Sequence, residues 1–328
     1  MGFLRRLTSL EDKREPLAVA LVGGSAEERR RLESAYLSNP KSRVIFSGGA
    51  ENLGQLARSG KAELIEIFAP LEQRAALASL CLEAGVNVST DMPPAAEPGQ
   101  ISVLQSRAGQ RGLVFRVRNE CLYYEPYRKA AEIIADEKIG YHTMLRMVVK
   151  RKQSPVPEQE RGQWLLANES GYLALAEYLS GRVEKVFMLG GQTRSRPGSM
   201  LVGLKFQKPH RFGYLLVDFA PELKIRTFNE PVFRQVWATG TAGVVMVNRG
   251  EGQLWRAPVL WLRAKDYSRS WELLQDDWNS VYGAMVEESF AVLRQGRPLI
   301  SGLGLAGSGL RYALHAGMSL TQGRELLV

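Results

Sequence analysis

The sequence predicts an α/β chain in two parts: a Rossmann-type doubly wound parallel sheet first, then an α+β domain with a mainly antiparallel open sheet. Three observations carry this. From Leu17 to about residue 120, short apolar runs alternate with amphipathic helical stretches, which is how βαβ units read. Beyond about residue 140, runs rich in Val, Phe, Leu and Trp follow one another without intervening helices, as hairpin-connected strands do. At 328 residues and 45% hydrophobic content, the chain is long enough for two ordinary cores.

Taken in order, residues 1–16 read as an N-terminal arm, with basic residues but no apolar signal-peptide core. Arg6 stands where a myristoylation motif at Gly2 wants Ser or Thr. The nucleotide-binding unit is expected over 17–122, with strands at 17–22, 43–47, 64–69, 86–90 and 113–117, each apolar enough to lie between helix layers. Leu77, Leu80, Cys81 and Ala84 mark one face of a helix that Gly85 closes, and Ile101, Leu104 and Ala108 repeat the pattern. The second unit is expected over 123–328, opening on a helix marked by Tyr127, Ala130, Ala131 and Ile134. Strands follow near 144–149, 183–189, 200–206, 214–219, 232–238, 243–247 and 259–262. Helices are expected over 164–179, over about 277–295 and around Tyr312 to Leu320.

Composition narrows the function classes. The 43 Lys and Arg against 34 Asp and Glu give +9, but the excess is spread: 18 basic against 15 acidic residues up to 130, and 25 against 19 beyond. Neither Arg29-Arg30-Arg31 nor Lys150-Arg151-Lys152 carries the interleaved aromatics of a nucleic-acid stripe, so no nucleic-acid partner is expected. No apolar run approaches the ~20 residues of a membrane span. Two cysteines, Cys81 and Cys121, point to packed thiols in a reducing, cytoplasmic setting. The three histidines, His142, His210 and His315, show no metal spacing.

Ligands of parallel sheets bind beyond the carboxyl ends of the strands, so the first place to look is Val22-Gly23-Gly24-Ser25. Counting a G-x-G-x-x-G fingerprint from Gly23 puts Ser25 and Glu28 at the second and third glycines, with Glu27 adding negative charge and Arg29 to Arg31 offsetting it. The second strand ends Phe46-Ser47-Gly48-Gly49, without the carboxylate that binds a ribose 2′-hydroxyl. NADP is therefore slightly favoured over NAD. Gly302, Gly304, Gly307 and Gly309 lack the Lys-Ser/Thr of a phosphate loop.

Nearly end to end, the chain resembles the glucose-fructose oxidoreductase and inositol dehydrogenase family (Gfo/Idh/MocA). The resemblance is carried by Ala69-Pro70-Leu71, by Ala84-Gly85-Val86-Asn87-Val88 with Asp91-Met92-Pro93-Pro94-Ala95, and by Asn119 with Glu125-Pro126-Tyr127-Arg128-Lys129-Ala130. Gly181-Arg182-Val183, Gly240-Thr241-Ala242-Gly243 and the ending from Ser319 to Val328 continue it. It implies an oxidoreductase that binds NAD(P) and acts on a sugar-like or other small hydroxylated substrate, with Gly23, Gly24, Ser25, Ser47, Pro70, Asp91 and Asn119 around the cofactor. It also implies a homo-oligomer paired through the open sheet face, with Phe233, Trp255 and Trp261 as the patch, unless residues 153–163 cap that face.

Members move the substrate proton with a lysine and a histidine–aspartate pair. Here the lysine position is Met92, and the other two fall near Gly171 and Ala174. None of these carries a proton at neutral pH. Asp91, Tyr124 and Glu169 are the replacement candidates, with Tyr123 and Glu177 beside them. A non-catalytic relative that binds a nucleotide, metabolite or protein partner is the alternative.

Overall fold

The computed structural model describes residues 15–192, 197–221, 232–249, 258–265, 267–272, 274 and 277–328. The arm expected at 1–16 lies outside them up to residue 14, as does Trp255. Strand and helix alternate as the apolar runs require: β1 (Leu17–Gly23), α1 (Ala26–Leu37), β2 (Ser42–Gly48), α2 (Leu53–Arg58), β3 (Leu64–Phe68), α3 (Leu71–Glu83), β4 (Asn87–Asp91), α4 (Pro98–Gln110) and β5 (Phe115–Arg118). All five strands pair in parallel in the order β2-β1-β3-β4-β5, so the order reverses between β1 and β3. In sheets of this kind, ligands bind at such a switch point, outside the carboxyl ends of the strands.

Alternate residues of these strands enter different cores. Ala20, Val22, Ile65, Ile67, Val88 and Val117 belong to the large cluster with residues of α2, α3 and α4, whereas Leu17, Val19, Leu21, Leu64 and Phe68 pack with Leu32 and Tyr36 of α1.

The second part runs α5 (Glu125–Ala135), β6 (His142–Arg151), α6 (Arg161–Ser180), β7 (Val183–Gln192), β8 (Pro197–Phe206), β9 (Phe212–Phe219), β10 (Val232–Gly240), β11 (Gly243–Arg249), β12 (Leu260–Ala264), β13 (Tyr267–Trp271), α7 (Trp278–Gln295), α8 (Leu303–Gln322) and β14 (Leu326–Leu327). Its nine-stranded sheet has the order β13-β12-β11-β10-β6-β9-β8-β7-β14, antiparallel except where β6 meets β9. The expected strands are present; β13 and the two-residue β14 are additions that alternation in the sequence did not single out.

Two packing features go beyond the sequence reading. Helix α7 returns to the first sheet and lays Val286 into the α1 core, while Arg116 of β5 donates to Ser289 Oγ at 2.7 Å. Helix α8 runs along α6 at glycine contacts: a Cβ on Gly309 would lie 2.3 Å from the Ser170 carbonyl, and one on Gly317 3.0 Å from Gly162 Cα. Of the late glycine series, Gly304, Gly307 and Gly309 thus lie within α8, and Gly307 and Gly309 pack against neighbouring helices.

Of residues 153–163, the alternative cap on the open sheet face, those from Glu158 onward lie on the helix side. Glu158 and Gln159 line a groove with Leu71, Leu314 and Met318 on the helix side, and Arg161 donates to the Gly191 carbonyl at 2.9 Å. Both cysteines are buried free thiols pushed up to about 12 by burial, as expected of packing residues.

Candidate functional site

The β1–α1 turn occupies the switch point. Gly23 and Gly24 both take left-handed φ angles, +86° and +58°. A Cβ at Gly23 would stand 2.2 Å from the Phe68 carbonyl oxygen, so β1 and β3 meet here only because the side chain is missing. Ser25 then caps α1: its hydroxyl accepts from Glu28 N at 3.2 Å, and the Glu28 carboxylate accepts from Ser25 N at 2.6 Å. The backbone hydrogen bond from Ser25 holds the Glu28 carboxyl below its ordinary range.

A helix N-terminus of this kind attracts a phosphate. In this protein it already carries a carboxylate of its own. Of the three arginines expected to offset that charge, Arg29 alone turns to the turn, donating to the carbonyls of Gly23 and Gly24, the latter at 2.7 Å. Arg31 instead lies over the Trp278 ring of α7, 5.1 Å from its centroid.

At the end of β2, Ser47 Oγ accepts from Arg29 Nε at 3.3 Å. Pro70 opens α3 beyond β3, and Arg74 ties the two neighbouring loops together by donating to the carbonyls of Ala69 at 2.9 Å and Pro93 at 2.7 Å. Asp91, at the end of β4, is held by Arg118 at 2.8–2.9 Å, with Arg74 3.9 Å away. Arg118 also lies over the Phe68 ring and pairs with Glu66 at 2.6 Å. Arg116 and Tyr36 complete the buried set around Glu66. Burial pushes the Glu66 carboxyl up, but Arg116 and Arg118 outweigh it and hold the group below its ordinary value.

Across the cleft, Asn119 at the end of β5 donates to the Gly171 carbonyl at 3.1 Å, and a Cβ at Gly171 would be 2.8 Å from Asn119 Oδ1. Ala174 is fully buried under Gly309 of α8. Met92 packs against the core. The three positions where a proton carrier was sought therefore hold apolar or missing side chains, and at Gly171 the space is already taken.

The replacement candidates are engaged elsewhere. Tyr124 is buried, with the Arg249 guanidinium 3.1 Å from its ring centroid and Trp278 edge-on at 6.1 Å. Glu169 is buried and paired with Arg151 at 2.6–2.7 Å. Tyr123 donates to Glu288, and Tyr312 donates to Glu177. Asp91 is 34% exposed, which leaves it the one candidate facing the carboxyl edge of the first sheet.

Sequence reasoning missed a row of arginines. Leu145, Met147 and Val149 line the inner face of β6 and end in Arg151; Ala238 and Val236 end in Arg234; Val245 and Val247 end in Arg249. Arg234 and Arg249 are register partners. The three cations stack on Trp164, Tyr172 and Tyr124 respectively, at 5.2, 5.1 and 3.1 Å. An arginine closing each inward-facing row of period two was the available signal.

The histidines are scattered. Burial pushes His142 down to about 4, His210 stacks on Tyr141, and His315 bonds the Arg311 carbonyl. Among the described residues no group of His, Cys, Asp and Glu can hold a metal ion, and no helix is long and apolar enough to cross a membrane.

Neither a protein-family model nor a curated protein matches the chain by sequence. Solved structures do match its shape over almost its whole length. A protein assigned as an NADPH-dependent oxidoreductase from Desulfitobacterium hafniense is 16% identical, covering 96% of this chain and 98% of its own at a TM-score of 0.79. An oxidoreductase from Agrobacterium radiobacter, in complex with NAD+, L-tartaric acid and magnesium, is 12% identical over 95% and 98% at 0.78. One assigned as a myo-inositol dehydrogenase from Sinorhizobium meliloti is 14% identical over 95% and 99% at 0.75. Parallel sheet, crossover at β1/β3 and open second sheet together give this chain the two-domain fold of the Gfo/Idh/MocA-type oxidoreductases.

Proposed function

We propose that the chain is an oxidoreductase-type protein that binds a nicotinamide dinucleotide, NAD or NADP, across the carboxyl ends of β1 and β3. Residues 17–122 form the nucleotide unit. Residues 123–328 take a sugar-like or other small hydroxylated ligand and mediate self-association. The observation that carries this is the left-handed Gly23–Gly24 turn, which opens directly into α1 at the switch point of a fold that elsewhere holds NAD+ and L-tartaric acid.

The residues fit such a cofactor on one condition. Gly23, Gly24 and Ser25 offer backbone to a pyrophosphate, Ser47 leaves room at the ribose, and Pro70, Asp91 and Asn119 border the nicotinamide side, but Glu28 must leave the Ser25 N–H. Bound there, the nicotinamide would give or take a hydride. The accompanying proton is left to Asp91, whose carboxylate Arg118 orients, because Met92, Gly171 and Ala174 cannot carry one. Losing a positioned acid or base costs roughly 10² to 10⁴ in rate.

The packing of Asn119 against Gly171 favours a second reading, a relative that binds its nucleotide or metabolite without turning it over. Titration of NADH and NADPH against tryptophan fluorescence tests the shared claim. Saturation at micromolar concentration supports binding, and absence of binding by either nucleotide removes both forms of it. Hydride transfer to or from a panel of polyols and their ketones then separates the two.

A cytoplasmic setting and a homo-oligomer belong to the same proposal. The outer face of the second sheet brings Val148, Leu216, Trp237, Met246 and Trp261 onto one side, with Phe212 54% and Leu189 53% exposed at its margins. Sedimentation should find more than one chain per particle, and Trp261→Glu should shift it towards the monomer.

A further inference from the structure

We propose that Arg29 reads the 2′-phosphate of an adenosine ribose, so that the site takes NADP in preference to NAD; this rests on the dinucleotide proposal above. Strand β2 ends without a carboxylate where a 2′-hydroxyl binder would stand, and an arginine comes to that place from the neighbouring helix. Its guanidinium is fixed between the turn and the strand: Nε donates to Ser47 Oγ at 3.3 Å, and Nη1 donates to the carbonyls of Gly23 and Gly24. Nη2 makes no hydrogen bond among the described residues, so one edge of the fork keeps its donors.

The charge is only lightly engaged: its pull on the neighbouring Glu28 carboxyl is weaker than that of the Ser25 hydrogen bonds. Arg29 forms no ion pair among the described residues; all three of its partners are neutral oxygens. Glu28, one residue away, is spent on the Ser25 N–H, and Glu51 is turned back against Gly49 and held by Asn52 Nδ2 at 3.2 Å. A half-buried cation held in place by neutral groups suits an incoming dianion. Ser47 accepts from Nε, which frees its hydroxyl proton for a phosphate oxygen.

The test compares NADPH with NADH by tryptophan fluorescence at fixed low salt, with 2′,5′-ADP and 5′-ADP as competitors that carry no nicotinamide. The expected result is NADPH tighter than NADH by about tenfold or more, and 2′,5′-ADP the better competitor by a similar factor. Arg29→Ser should remove that difference by weakening NADPH. Because Arg29 also clasps the glycine turn, Ser47→Asp serves as a second variant that leaves the clasp in place and should turn the preference towards NADH. Equal affinity for both nucleotides in the unaltered protein, or an Arg29→Ser variant that weakens both alike, overturns the assignment of Arg29 and leaves the dinucleotide proposal standing. Binding of neither nucleotide overturns both.

Discussion

The β1–α1 turn and helix α6 are built in different ways. At the β1–α1 turn the backbone keeps the left-handed path a phosphate site needs, while Glu28 and Arg29 satisfy its polar groups from within. On the α6 side the backbone is an ordinary helix with no titratable side chain at Gly171 or Ala174: Asn119 occupies the space beside Gly171, and α8 packs closely on Ala174 at Gly309. Phosphate binding rests on main-chain geometry, which is hard to lose without losing the fold. Proton transfer rests on a few titratable atoms, which are easy to lose while the fold stays intact.

The largest expected effect breaks the first side. Gly23→Val forces a Cβ into the Phe68 carbonyl and strains a residue at φ +86°, and unfolding in urea should show a loss of about 4 kcal/mol together with loss of nucleotide binding. Next, acid should separate the two sheets. His142 in β6 is held neutral in the fold, down to about 4 against an ordinary value of 6.5. Because its folded value is depressed, its contribution is complete above pH 6.5 and is lost as pH falls towards 4, by up to about 3 kcal/mol. His142→Gln should flatten the urea midpoint over that interval. Glu63, just before β3, and Glu66 within it are also depressed, by Arg294 and by the Arg116–Arg118 pair against the opposing effect of burial, so their contribution is lost only below about pH 4.3.

Gly171→His, which places an imidazole on α6, should cost about 2 kcal/mol, and a second change, Asn119→Gly, should recover part of it by clearing the space. Recovery shows that Asn119 fills the space beside Gly171. Its absence would mean that α6 itself resists a side chain there. The smallest effect is Glu28→Gln: the helix should lose under about 1 kcal/mol of capping, while nucleotide affinity rises about threefold as the competing charge leaves the Ser25 N–H.

Much of this was legible before the structure. Alternation located β1 to β5 within a residue or two at most ends, because buried parallel strands must be apolar on both faces. Gly23 followed from its place after the first strand. Met92, Gly171 and Ala174 were singled out only through the family resemblance, as the positions of its lysine, histidine and aspartate. Arg29 was counted only as charge, although a helical side chain leans back over the preceding turn and so towards Ser47. The return of α7 was not legible: Arg116 meets Ser289 across more than 170 residues, and no periodicity encodes a partner so distant. The arginine row was visible in outline, as three inward rows that end alike, but its meaning depended on strand register.

That return of α7 sets a timetable for biosynthesis. The first sheet is complete in sequence at Arg118, whereas the helix that supplies Val286 and Ser289 to its α1 side ends at Gln295. At about 5–20 residues per second, the ribosome leaves this face, with Glu66 and two arginines in it, partly uncovered for roughly ten to thirty seconds. The nascent first half therefore depends for the cover of that face on a segment not yet made.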